Sequence, residues 1–384
     1  MLNRYISGLM LLLASIGLHA EAPTNHAEAP KAPRYTSDKL IPVADLGKMR
    51  AIGVSVSSDN RLFVSFPNRP TNYQYGLVEI INGKTKVYPD AAWNETAGDQ
   101  NKRFVSVQDL YVDTKDNLWV LDSKPSGGSI FSREKVGKSA DQKPEGYFKL
   151  LKINLKTNQV EKVYHFDDLN KVNSGLNDVR VDTDKNLAYL SDPGQSAIVV
   201  LDLTSGKTRT LLQKHPATQA DPNIVLSYDG KEMRNKEGTP FRSNINGIAL
   251  TKDNKYFYFK PINKLNLYRI ETRYLADASL SDKDLGNKVE DLGKTAVTHG
   301  LEADKKGNIY LTSSLDYSIK YFSPDGKLQT LVQDSRLLWP DSLGIGSDGY
   351  LYLSCAQLQR DPQWSGGENH TVYPYTIFKV KLPE

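Results

Sequence analysis

Apolar and polar residues alternate along most of this chain with a period of two, the signature of half-buried β-strands. One unit recurs six times, at residues 53–65, 109–121, 178–190, 247–259, 300–312 and 342–354. Each copy is a short apolar strand, a turn rich in Asp, Asn and Gly, and a second strand richer in aromatics. Turn chemistry of that kind joins antiparallel strands into hairpins. Equivalent turn positions fall at Arg61, Asn117, Asn186, Lys255, Asn308 and Tyr350. A four-stranded propeller blade needs roughly 40–50 residues, so each interval accommodates one blade plus loops.

A third apolar run follows most hairpins, at 77–80, 150–155, 198–203, 267–270, 319–322 and 376–380. Fourth strands are legible at 208–212 and 328–332, after the turns 204–207 and 323–326. The chain ends just after the third strand of the sixth copy, and an unmatched strand at 40–46 precedes the first. Supplying that strand to the last sheet closes the ring and hides a free edge. The expectation is an all-β, six-bladed β-propeller over residues 39–384, its ring closed by an N-terminal strand in the last blade. A pair of β-sandwiches offers no reason for six matched hairpins and one leftover strand.

The N-terminus departs from this pattern. Arg4 precedes an apolar stretch from Tyr5 to Leu18, and Ala20 offers a small residue at a cut, which reads as a signal peptide over 1–20. The stretch is shorter than the roughly 20 residues of a bilayer span. Residues 21–38, rich in Ala, Pro and charge, read as a flexible leader. The expected location is therefore secreted or periplasmic, for a monomer with no membrane span. Composition narrows this further. With 49 Lys+Arg against 45 Asp+Glu and no basic, aromatic-interleaved cluster, nucleic acid is not an expected partner. One cysteine, Cys355, excludes an intrachain disulfide framework and multi-Cys metal sites, so a large buried core must hold the fold.

In a propeller the inner strands start on one face of the disc, and the long insertions of this chain fall there too: 67–76, 124–149, 213–244 and 357–375. Two places before the first apolar position of each inner strand stand Ile52, Gln108, Asn177, Asn246, His299 and Asp341, with Asp109 and Asp178 beside two of them. Five of these six are polar, and all six converge on the central channel. Convergent titratable groups in a pocket suggest a small-molecule ligand site, although polar residues can also solvate a wet channel. The expected ligand-binding set is Asp341, Asn246, Asn177, Asp109 and Gln108. His299 and Asp178 are the candidate proton-transfer groups, since an ordinary imidazole titrates near neutrality. Tyr73, Tyr75, Trp364, Tyr373 and Tyr375 lie on mouth-side loops where they could stack on an aromatic ligand. Lys260 reads as a solvated surface lysine and Cys355 as a packed, inert thiol.

These segments resemble the Yellow / major royal jelly protein family. The resemblance is carried by 107–113 with 118–123, by 177–179 with 188–192, and by 258–261 with 267–270. Its most specific stretch is 336–343, followed by 349–353 and 357–360. It implies a secreted six-bladed propeller whose central channel takes a small molecule of aromatic amine or phenolic type, or takes part in dopachrome conversion. A more distant similarity is to the gluconolactonase / senescence-marker propellers. That similarity implies a divalent cation such as Ca²⁺ held by Asn177, Asn246 and Asp341, with Ile52 standing where the family's Glu ligand belongs. A metal-dependent lactonase or a dopachrome-type tautomerase is thus the alternative to a binder.

Overall fold

The computed structural model describes residues 35–67, 75–123 and 148–384; the signal-peptide reading and Tyr73 lie outside them. The described residues form six four-stranded antiparallel sheets, with one extra two-stranded hairpin. In the first five sheets the strands follow chain order from the innermost outward. The sixth is completed by Ile41–Asp45, which pairs with the last strand, Thr376–Lys381, as its outermost member. The innermost strands are Val54–Val56, Val107–Val112, Val179–Asp182, Ile245–Leu250, Leu301–Ala303 and Pro340–Ile345. Each touches the next, and the sixth touches the first. This is a six-bladed β-propeller.

Local chemistry explains the hairpins. Asn60, Asp116, Asn254, Gly307 and Gly349 occupy equivalent turn positions at positive φ, which Asn, Asp and Gly tolerate best. In three blades an Asp at or just past the end of the inner strand fills the turn. Asp113 accepts from Asn117 N and from Trp119 Nε1, at 2.9 and 2.8 Å. Asp304 repeats this with Asn308 N and Tyr310 Oη, at 2.9 and 3.0 Å, and Asp182 accepts from Tyr189 Oη at 3.3 Å. The aromatic of each second strand is thereby tied to its own turn. Apolar faces then pack blade against blade, as where Tyr189, Ile198 and Val200 meet Ile248, Phe257 and Phe259. Most of the expected leader, 21–34, lies outside the described residues, but its last residues are docked: Tyr35 N donates to Ser335 Oγ and Ser37 N to Asp334 Oδ2, at 2.8 and 2.9 Å.

Crowding at the axis demands small residues. A Cβ added to Gly300 would lie 2.0 Å from Asp341 O, and one added to Gly247 would lie 2.7 Å from His299 O. Backbone cannot yield as a flexible side chain does, so Gly300→Ala is expected to destabilise the fold by about 3 kcal/mol, the upper range for overpacking. Urea unfolding measures this; an unchanged midpoint would show that the inner strands are not in such contact.

Candidate functional site

Strand register defines three axial layers. Val54, Leu110, Val179, Ile248, Leu301 and Leu343 oppose Val64, Val120, Leu190, Phe259, Leu311 and Leu353, and so mark equivalent positions. Two residues earlier comes the outer ring of Ile52, Gln108, Asn177, Asn246, His299 and Asp341. One residue earlier come Gly53, Asp109, Asp178, Gly247, Gly300 and Ser342. One residue later, on the same strand face as that middle layer, come Tyr111, Arg180 and Glu302.

Hydrogen bonds join much of this set. Gln108 Nε2 donates to Asn177 Oδ1 at 3.2 Å, and Asn177 Nδ2 donates to Asp178 at 2.7 Å. Asp109 Oδ2 accepts from Val179 N and Arg180 Nη1, at 2.9 and 3.1 Å. Arg180 extends to the fifth blade, donating to Leu301 O at 2.9 Å and lying 3.7 Å from Glu302. Its guanidinium stands over the Tyr111 ring, and Lys252 pairs with Glu302 at 2.8 Å. Asp109 is therefore an anchor between blades 2 and 3, its charge already answered by Arg180. Asp178 differs. It makes no ion pair among the described residues, and its carboxyl is pushed well above the usual range by burial and by the neighbouring charges of Asp109 and Asp341, with Arg180 offsetting part of the effect.

His299 is 1% exposed. Its ring stacks on Trp339 with centroids 3.9 Å apart, and the Trp339 Nε1 donates to Asp341 at 3.1 Å. Nε2 shares a 2.7 Å hydrogen bond with Ser314 Oγ, which lies 2.8 Å from Tyr228 Oη; Nδ1 is buried without a partner. Burial, reinforced by the charge of Lys260, drives this imidazole down to about 3. The near-neutral titration expected of it is thus corrected: His299 is an uncharged hydrogen-bonding group over the physiological range and a weak base.

An apolar cap covers this end of the axis. The insertion 213–244 contributes Leu226, Tyr228, Met233 and Phe241, which meet Ile52, Trp339 and Leu358 from other blades. Phe241 packs edge-on against both Trp339 and Trp364. Gln108, Asn177, Asn246 and His299 are consequently buried, while Asp178 and Asp341 keep partial exposure. Of the described loop aromatics anticipated over the channel, only Trp364 joins this cap. Tyr375 instead accepts from Arg50 Nε at 2.9 Å, Tyr373 is exposed beside it, and Tyr75 packs with the first blade.

The donor set does not fit a hard divalent cation. Asn177 spends its oxygen on Gln108 and its amide nitrogen on Asp178. Asn246 points Nδ2 at Ser243 Oγ, 3.5 Å away. Ile52, where a Glu ligand would stand, belongs to the apolar cap. Of the three expected ligands Asp341 is then the one carboxylate, in a site that needs six to eight oxygens. Among the described residues no three His, Cys, Asp or Glu side chains are grouped to hold a metal.

Two polar groups stand otherwise than the sequence reading has them, Arg180 unnoticed there and Lys260 read as solvated. Arg180 was legible in principle, because period two places it on the face of Asp178. Lys260 is the larger surprise. Far from being a solvated lysine, it is fully buried. It occupies the register position held by Ser65, Ser191, Thr312 and Ser354 in four other blades, where the hydroxyl serves inner-strand amides. Its Nζ donates to Ala296 O and to Thr295 Oγ1 (3.1 Å), and burial lowers its pKa to about 7. Cys355 is buried, and burial pushes its thiol up, away from nucleophilic range.

Fold and axial layers together define a propeller with polar, acid-rich axial layers under an aromatic cap. The family model described as major royal jelly protein matches residues 105–362, and the chain belongs to that family. Among solved structures, a gluconolactonase from Xanthomonas campestris aligns over 91% of this chain and 95% of its own, at 12% identity and a TM-score of 0.53. A calcium-binding regucalcin from Agrobacterium tumefaciens aligns over 89% and 93%, at 12% identity and a TM-score of 0.51. At that identity the likeness is one of fold. No curated protein sequence matches the chain. Among the described residues no helix is long and apolar enough to cross a membrane.

Proposed function

We propose that this chain is an exported binder of a small aromatic amine or phenol, held in the central channel with its cationic or hydroxyl group at Asp178 and Asp341. The observation that carries the reading is the setting of Asp178: partly exposed, without an ion-pair partner among the described residues, and with its carboxyl pushed well above the usual range by burial and two neighbouring carboxylates. An ammonium placed there relieves that repulsion and draws the proton off, so affinity should rise with pH. Trp339 Nε1 holds Asp341 in place beside it, at 3.1 Å. The divalent cation of the gluconolactonase-like alternative is not supported by the donor set, and elemental analysis of the purified protein should find no stoichiometric calcium.

Calorimetry with tyramine and a panel of phenols tests this. Removing one partner of a buried charge pair costs roughly 2–5 kcal/mol, so Asp341→Asn and Asp178→Asn should each weaken tyramine at least ~30-fold. Absence of binding across the panel, or equal affinity in the variants, overturns the reading. Turnover of a lactone or of dopachrome that is lost with Asp341→Asn would replace the binder with an enzyme at the same channel.

A further inference from the structure

Outside the cap lies a cavity of about 660 Å³, between the hairpin strands Ser227–Tyr228 and Lys231–Glu232 and the 3₁₀ turns Leu358–Arg360 and Pro362–Trp364. That volume is in the range of small-molecule sites. We propose that it is a second ligand site, separate from the channel, for a small aromatic anion that carries a hydroxyl or N–H donor, such as a hydroxylated aryl carboxylate.

Three features support this chemistry. Tyr228 and Trp364 supply aromatic surface to the cavity, suited to stacking on a planar ring. The lining carries the cations Lys231, Arg234 and Arg360 against the carboxylates Asp229 and Glu232, so its net charge is positive. Both acidic groups of the lining are already engaged: Asp229 accepts from Tyr317 Oη at 2.5 Å, and Glu232 pairs with Arg234 at 2.5 Å. Arg360 and Lys231 have no carboxylate partner among the described residues, and the Arg360 guanidinium reaches only His370 O, at a long 3.5 Å. A guanidinium so placed suits bidentate capture of a carboxylate. Finally, Gln359 Oε1 is buried with no hydrogen-bond partner. An unpaired buried acceptor is costly, and a turn of the Gln359 side chain, which lines the cavity, toward a ligand O–H or N–H removes that cost. An anion is thus selected by Arg360, and its donor group by Gln359.

The tests use the full propeller with 4-hydroxyphenylacetate, against tyramine as the cationic and phenylacetate as the hydroxyl-free analogue. Binding is followed by calorimetry and by the quenching of Trp364, assigned with Trp364→Phe. A hydrogen bond to a charged group contributes about 1.5–3 kcal/mol, so Arg360→Gln should weaken 4-hydroxyphenylacetate at least ~10-fold. Lys231→Gln should weaken it several-fold, and Gln359→Leu should erase the preference over phenylacetate. Both cationic positions are at least partly exposed, and matched melting curves confirm that those variants fold. Asp341→Asn should leave this binding unchanged, which separates its failure from that of the channel reading. No saturation by millimolar ligand, indifference to Arg360→Gln, or loss with Asp341→Asn overturns the proposal.

Discussion

Trp339→Ala should cost the protein about 3–5 kcal/mol, the range for deleting a fully buried tryptophan, and should unseat the cap. Trp339 is 1% exposed and touches four groups that otherwise have little in common. Its ring stacks on His299, meets Phe241 edge-on at 5.3 Å and Tyr228 at 5.9 Å, while Nε1 holds Asp341. It does this from the left-handed region, at φ 56°, where a bulky residue is rare and held only by surrounding packing. Alanine keeps that backbone cost and loses every contact that offsets it. Trp339→Phe should lose less, since it keeps the aromatic packing and drops chiefly the bond to Asp341. Urea unfolding orders the two variants, and the His299 imidazole proton signals report the cap. In Trp339→Ala, water should reach the ring and its titration should move up from about 3 toward the ordinary value. An unfolding midpoint equal to wild type would mean that the insertion seals the channel without Trp339.

That cap marks where reading the sequence stops. The blades were legible because each repeats the same period-two hairpin, and because Asp, Asn and Gly announce the turns. Alignment of the repeats also placed Gln108, Asn177, His299 and Asp341 in one layer, since equivalent positions in a ring must converge. What the repeat cannot encode is the insertion 213–244, which lies outside the repeated unit. Leu226, Tyr228, Met233 and Phe241 therefore gave no sign that they would bury the polar ring. Charge pairing was equally hidden. Asp109 reads as a ligand group until Arg180 is seen to neutralise it, and Lys260 reads as solvated until its register with Ser65, Ser191, Thr312 and Ser354 is noticed. Tyr375 looked like a ligand contact and is occupied by Arg50.

Lys260 and His299 together should write a distinctive pH dependence into stability. An unfolded histidine takes up a proton near 6.5, whereas His299 in the fold does so only near 3. Between those values the unfolded state holds more protons, so stability rises with pH and is lost as pH falls from 6.5 to 3, by up to about 5 kcal/mol. Lys260 acts likewise at higher pH: with a folded value near 7 against 10.5 unfolded, its contribution declines as pH falls from 10.5 to 7 and is flat below. The buried carboxyls Asp109, Asp122 and Asp178 oppose this, because a raised carboxyl favours the fold as pH falls toward the ordinary carboxylate value. The whole profile therefore mixes signs, and difference profiles isolate each group. Urea unfolding at a series of pH values should show His299→Gln gaining on wild type by several kcal/mol between pH 6.5 and 3, and Lys260→Met gaining between 10.5 and 7. The two gains should not simply add. The Lys260 charge is one cause of the depressed imidazole, so in the Lys260→Met background His299 should titrate at higher pH and its acid limb should shrink. Parallel profiles for wild type and both variants would mean that neither group is sealed from water, and with that the cap itself would lose its support.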